Sequence, residues 1–341
     1  MYPIVKYLIA FVILGIPDTS NKHIVDPPGG DIIRGITMVA PPEEFSTDPI
    51  SSIKAVNADW IAVVPYGYNR KGNPEVRFNS PWQWWGERPE GVRESIKSAR
   101  RQGLNVMIKP QVYIHGSWVG EVDFESEADW KIWEESYKNY VMAFVNIAIE
   151  EGVEMICIGT EYKIAAQKRE KYWRQLIRDV RKIYTGKIIY SSNWDGYRQV
   201  PFWDALDFIG ISAYFPLTSK KTPAVNLLKR EWKPIISKLK KFSVRQGKKI
   251  IFTEYGYLSV DGCAHKAWEL EKQIQDLSVN EKAQANAYQA LLDSFWDQDY
   301  WAGGFLWKWF PNMQGHEGYP AKDYTPQGKI AEQVIKDWYG K

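Results

Sequence analysis

At 341 residues the chain is long enough to bury a large core, in one domain or two. A formal net charge of +3, with no block of lysine or arginine, argues against a nucleic-acid partner. Two cysteines supply no disulfide framework, and four scattered histidines show no metal-ligand spacing, so neither a metal site nor a cofactor is expected.

The N-terminus carries Lys6, an apolar run from Tyr7 to Ile16, and then Pro17. That run suits a signal-peptide core and is short for a bilayer span. No Ala-x-Ala-like site follows it, and no cysteine stands ready for a lipid anchor. Export to the periplasm, cell surface or medium is the expectation, with an uncleaved anchor as the alternative. Any membrane contact would run through this segment alone. Residues 1–30 read as this segment and a Pro/Gly-rich linker, and residues 31–341 as one domain.

From there strands and helices alternate. Ile32–Ala40 reads as a strand, Asp48–Asn57 as a short helix, Trp60–Pro65 as the second strand and Arg88–Gln102 as a helix. Val106–Tyr113 is the third strand. A long helix from Glu127 to Glu151 follows, with a capping box at Ser126 and Asp129. Its Trp130, Trp133, Tyr137, Val141 and Phe144 recur at helical spacing and are expected to pack the core. Met155–Thr160 is the fourth strand, Tyr172–Tyr184 a helix, Ile188–Asn193 the fifth strand and Phe208–Tyr214 the sixth. A helical stretch containing Pro234 either kinks there or divides in two. The seventh strand opens at Lys249, Glu281–Trp296 is amphipathic, Phe305–Trp309 is the eighth strand, and Lys329–Tyr339 the last helix.

Loop lengths decide the architecture. Gly103, Gly152, Gly186 and Gly247 each stand just before a strand, as helix-ending glycines in a left-handed conformation would. Joins from strand to helix are long: Tyr66–Glu87, His115–Glu125, Leu258–Asn280 and Pro311–Pro326. Spare length therefore gathers at the C-terminal ends of the strands, where an α/β barrel of the (β/α)8 TIM type builds its active site. A doubly wound open sheet is the alternative, but no glycine-rich phosphate loop follows the first strand, where Arg34-Gly35-Ile36-Thr37 gives no fingerprint.

Two strands end alike. Ile-Cys-Ile-Gly-Thr places Glu161 before Tyr162, and Ile-Ile-Phe-Thr places Glu254 before Tyr255. A carboxylate at the end of a buried strand is costly unless it is hydrogen-bonded or used. On strands four and seven the two would face each other across the barrel mouth, the pair that glycoside hydrolysis requires. A separation of about 5–5.5 Å would mean retention of configuration and about 6.5–9.5 Å inversion.

Seventeen tryptophans, in a chain that is 15% aromatic, suit stacking on sugar rings. Tyr214 ends strand six, from where it could donate a hydrogen bond to Glu254, and Asn193 and Trp194 close strand five. Trp307 and Trp309 alternate to one side of strand eight, so either could floor a site. Lys109, Gln111, Tyr113 and His115 would share one face of strand three. Tyr66 joins Tyr68, Trp82, Trp84 and Trp85 in a loop cluster that either lines a cleft or packs the loop onto the barrel.

With Glu161 on strand four and Glu254 on strand seven, the chain resembles the clan A retaining glycoside hydrolases. The resemblance implies Glu161 as acid/base and Glu254 as nucleophile. Gly-Thr-Glu at 159–161, Thr-Glu-Tyr-Gly-Tyr at 253–257 and the Trp307 strand are similar to glycoside hydrolase family 113. That family implies β-1,4-mannanase activity on mannan or glucomannan, with β-mannan or a related polysaccharide as partner. Most of the clan carries Asn before the acid/base; here Thr160 stands there, leaving the sugar 2-hydroxyl to another residue. Another retaining β-glycosidase, or a non-catalytic carbohydrate-binding barrel, are the competing readings.

Overall fold

The structure, a computed structural model, describes residues 32–311 and 319–341. The expected N-terminal segment, and residues 312–318 of the loop before Pro326, lie outside the described residues.

Eight parallel strands close into a barrel in chain order. They are β1 (Ile33–Met38), β2 (Trp60–Val63), β3 (Asn105–Ile108), β4 (Met155–Thr160), β5 (Lys187–Asn193), β6 (Ile209–Ser212), β7 (Ile250–Tyr255) and β8 (Trp301–Trp309). Their runs are apolar on both faces because both faces are covered. Ile33, Trp60, Met107, Met155, Ile189, Ile251 and Phe305 fill the interior. Alternate residues such as Ile36, Ile61, Ile156, Ile188 and Phe252 meet the surrounding helices in a second, larger cluster. The chain is a single-domain (β/α)8 barrel.

Helices fall where the apolar periodicity places them, including Pro89–Arg101, Glu127–Glu150, Glu170–Ile183 and Glu281–Phe295. Ser126 caps its helix by accepting the Asp129 N–H at 3.0 Å. Val225–Gln246 is one continuous helix, so Pro234 does not divide it. Pro234 lies on an exposed face, where solvent can meet the carbonyl that its missing N–H leaves. Among the described residues, no helix is long and apolar enough to cross a membrane.

Three elements depart from expectation. The third strand breaks at Lys109–Pro110, since proline has no N–H for the barrel ladder. Its second half, Gln111–His115, leaves the barrel and pairs with Tyr66–Arg70 in a separate two-stranded parallel sheet. β8 starts at Trp301, ahead of the expected start at Phe305, and takes in the Gly303-Gly304 pair. Gly103, Gly152 and Gly247 are left-handed, with φ of 69°, 64° and 63°, but Gly186 is not among the positive-φ glycines. There a Cβ would stand 2.2 Å from the Tyr184 hydroxyl, so close packing, not backbone conformation, calls for glycine.

The tryptophan surplus also resolves. Trp60, Trp133, Trp173, Trp203, Trp232 and Trp309 are fully buried core residues. The set left at the barrel mouth is small.

Candidate active site

Glu161 and Glu254 both line one cleft of ≈ 970 Å³ at the C-terminal mouth of the barrel. Each follows a slip in strand register. Across β4 and β5, Cys157 pairs with Ile189 but Thr160 with Ser191. Across β6 and β7, Ile211 pairs with Phe252 but Ser212 with Glu254. An extra residue on one strand bends it and re-aims the side chains that follow. These slips carry the two carboxylates from the strand faces to the rim.

Glu161 stands in the left-handed region, with φ of 59°. For a residue with a Cβ that conformation costs about 1–2 kcal/mol. Its surroundings hold it there. The Glu161 N–H donates to the Ser191 carbonyl at 2.7 Å. Next to it, Tyr162 is wedged among Trp133, Tyr137 and Trp173, with ring centroids 5.2, 5.0 and 5.7 Å away. The aromatic stripe of the Glu127–Glu150 helix thus fixes the turn that presents Glu161. Gly159 makes room, since a Cβ there would lie 2.8 Å from the Trp173 ring.

Glu254 is held differently. Its Oε1 accepts from the Lys109 ammonium and from Gln111 Nε2 at 2.6 Å, and its Oε2 accepts from the Tyr214 hydroxyl at 3.0 Å. Lys109 is completely buried, so this ion pair sits inside the barrel mouth. The Tyr66 hydroxyl in turn donates to Gln111 Oε1 at 2.7 Å and fixes that amide. Beneath the carboxylates lies a layer of hydroxyls: Ser191 Oγ is 3.1 Å from Ser212 Oγ and 2.6 Å from Thr253 Oγ1.

The surroundings of Glu161 favour its protonated form. Burial, and next the negative charge of Glu254, push Glu161 up to about 7. The Trp118 indole N–H, 3.0 Å from Glu161 Oε2, pulls the other way, as do Ser212 and Lys109. Glu161 is therefore held toward its protonated form, beside a Glu254 carboxyl that accepts from a lysine, an amide and a tyrosine. An acid paired with a nucleophile would call for such an asymmetry.

Other expected residues divide. Tyr113, Asn193, Trp194, Tyr214 and Trp307 line the same cleft. Asn193 Nδ2 donates to Asp195 Oδ1 at 3.1 Å. The Trp307 ring lies 5.1 Å from the Lys109 ammonium, at the floor beside Glu254. Gly256 permits this packing, because a Cβ there would stand 2.2 Å from the Trp307 carbonyl oxygen. The Trp307–Lys308 peptide bond is cis.

Trp309 does not reach the cleft. β8 slips against β1 between Leu306 and Trp309, where Ile36 pairs with the first and Met38 with the second. The alternation therefore fails, and Trp309 turns into the helix-facing core, its indole N–H donating to Ser52 Oγ at 3.0 Å. The single face expected for strand three holds across Pro110 and divides beyond Gln111. Lys109 and Gln111 meet Glu254, Tyr113 borders the cleft, and His115 lines an outer groove with Tyr68, Trp82 and Trp84.

Sequence reasoning missed Trp118, Trp268 and Tyr324. Trp118 belongs to the loop after Gln111–His115, and no spacing ties it to Glu161. Trp268 lies nearly parallel to Trp194, centroids 5.8 Å apart and planes 17° apart, and the two line one end of the cleft. Tyr324 packs against Tyr214 and donates to Glu271 Oε1 at 2.5 Å. Among the described residues, no group of three or more His, Cys, Asp or Glu is placed to hold a metal ion.

Known proteins resemble the chain over most of its length. The β-mannanase AaManA of Alicyclobacillus acidocaldarius, solved in complex with ManMIm, superposes with a TM-score of 0.78 at 26% identity, over 91% of this chain and 97% of that one. A second family 113 β-1,4-mannanase, also in a complex, gives 0.74 at 27% identity, over 91% and 99%. A β-glucuronidase of Ruminococcus gnavus, 12% identical with a TM-score of 0.65, covers 91% of this chain and 50% of that one and shares the fold alone. None of the curated proteins matches the chain. The family model of Glycoside Hydrolase Family 113 matches residues 42–329. The chain is a glycoside hydrolase and belongs to that family.

Proposed function

We propose that this protein is an endo-acting β-1,4-mannanase that degrades mannan or glucomannan with retention of configuration. The observation that carries it is the asymmetry of the two carboxyl groups: Glu161 pushed up to about 7, Glu254 met by Lys109, Gln111 and Tyr214. Glu254 attacks the anomeric carbon while Glu161 protonates the departing glycosidic oxygen, leaving a sugar ester on Glu254. Glu161, now a carboxylate, takes a proton from water as that water releases the sugar.

Trp307 floors the sugar that is cleaved. Lys109, Asn193, Tyr113 and Tyr66 serve hydroxyl contacts or hold the groups that make them, and Trp194 with Trp268 carries the departing side of the chain. Internal cleavage is supported by the walls: Trp194 and Trp268 border the cleft at one end, and Tyr113 and Trp307 continue into further cavities beyond it. The apolar run 7–16 supports an exported enzyme acting on polysaccharide outside the cytoplasm. Digestion of β-mannan without added metal tests the reading. Short manno-oligosaccharides should appear from the earliest times; mannose as sole early product, full inhibition by a chelator, or activity on cellulose alone would contradict it.

A further inference from the structure

At the Trp268 end of the cleft two loops grip each other. Trp268 and Glu271 stand on one short helix, Ala267–Glu271, in the loop after β7. The Tyr324 hydroxyl, from the loop after β8, donates to Glu271 Oε1 at 2.5 Å. Burial, and next the charge of Glu271, hold that hydroxyl protonated well above the ordinary tyrosine range, so the tyrosine is the donor. Two further bonds follow the same seam: the Lys322 ammonium donates to the carbonyls of Ile274 and Gln275 at 3.0 and 2.8 Å. The loop after β8 is anchored from beneath. The Asp323 carbonyl accepts from Lys329 Nζ at 2.9 Å, and the Tyr324 carbonyl from the buried Gln284 Nε2 at 3.0 Å.

The helix on the other side of the seam depends on such contacts. Of its five residues only Ala267 is buried, and no side chain caps its start. A helix that short does not hold its own shape or place in water. Of the three bonds, only the one between Tyr324 and Glu271 joins two residues that line the cleft. Tyr324 also packs against Tyr214, which donates to Glu254, so the seam ends at the partner of the proposed nucleophile. We propose that Glu271 is a positioning residue for the departing side of the substrate: by accepting the Tyr324 hydroxyl it holds Trp268 parallel to Trp194, ready for a sugar beyond the cleaved bond. This rests on the mannanase reading above, which puts the departing sugars at Trp194 and Trp268. Cleavage that draws on departing sugars should therefore suffer more from loss of the bond than cleavage that releases a good aryl leaving group.

The test compares kcat/KM on mannopentaose with kcat/KM on 4-nitrophenyl β-mannobioside, whose leaving group is not a sugar. A general loss of folded protein lowers both alike and leaves their ratio unmoved. Glu271→Leu, at an exposed position, should lower the ratio of the first to the second by at least about fivefold. Tyr324→Phe should lower it similarly. Glu271→Gln keeps an oxygen that can accept the tyrosine hydroxyl, and should hold the ratio within about twofold of the parent. In a Trp268→Ala background Glu271→Leu should add little further loss, because the residue it positions is gone. A ratio held within about twofold in Glu271→Leu, a Glu271→Gln ratio as low as that of Glu271→Leu, or a loss that adds in full to that of Trp268→Ala would each overturn the assignment. Unmodified protein that turns over neither substrate nor mannan would overturn the mannanase reading, and this role of Glu271 with it.

Discussion

The Lys109 ammonium and the Glu254 carboxylate form an ion pair inside the barrel mouth, with the lysine wholly removed from solvent. They are 145 residues apart in sequence. Desolvating such a pair is costly, so its presence is a poor argument for stability and a good one for function. Gln111 and Tyr214 take up further lone pairs of the carboxylate and leave it little room to rotate.

Lys109→Met should remove the counter-charge and keep the volume. Breaking a buried pair from one side costs about 3–5 kcal/mol, so the midpoint of urea unfolding should fall clearly. Activity on mannan should drop by at least about a hundredfold, because the attacking oxygen loses its anchor. The double variant Lys109→Met/Glu254→Gln should recover part of the lost stability, and a strictly additive result would refute the coupling.

The alkaline limb of activity should follow Glu161, which is pushed up to about 7 by burial and by Glu254. As the proposed acid it acts in its protonated form, so kcat/KM should fall as pH rises through about 7. Stability follows the same sign. A carboxyl raised in the fold contributes its full stabilisation below the unfolded value and loses it as pH rises through the folded one. Glu161→Gln should therefore stabilise the protein more at pH 8 than at pH 5, by on the order of 1–3 kcal/mol. Trp118→Phe removes an N–H that favours the ionised form, and should move the alkaline limb upward. An unmoved limb would detach Trp118 from this role.

Backbone conformation at Glu161 gives an independent check. With φ at 59°, Glu161→Gly should be more stable than Glu161→Ala by about 1 kcal/mol, the reverse of the usual order of these residues. Equal unfolding midpoints would mean that the turn relaxes.

Trp307 and Trp309, two residues apart on β8, should behave oppositely. Trp307→Ala should lower kcat/KM by about tenfold or more while leaving the unfolding midpoint near that of the parent. Trp309 is 1% exposed in the core, and Trp309→Ala should cost about 3–5 kcal/mol of stability. If the activity loss belonged to Trp309 alone, the floor of the site would be misassigned.

Much of this was readable from residues because it depends on local pattern. Apolar runs mark all eight strands, and a glutamate ending two of them is conspicuous because burying a charge is costly. What escaped depends on contacts across the barrel. Trp309 should share a face with Trp307 by simple alternation, and only the slip against β1 removes it. Pro110 is visible in the sequence, yet that Gln111–His115 leaves the barrel to pair with Tyr66–Arg70 depends on a contact between distant segments. Trp118 reaches Glu161 from a loop of no regular period.

The assignment of acid to Glu161 and nucleophile to Glu254 is tested most directly by the configuration of the azide product from Glu161→Ala. An activated aryl β-mannoside needs no acid to leave, so the sugar ester on Glu254 should still form. Azide, unhindered by the lost carboxylate, should then displace Glu254 and yield the β-mannosyl azide, read from the anomeric signals by NMR. An α-mannosyl azide would mean direct displacement at the sugar, with Glu161 rather than Glu254 as the missing nucleophile, and would contradict the account.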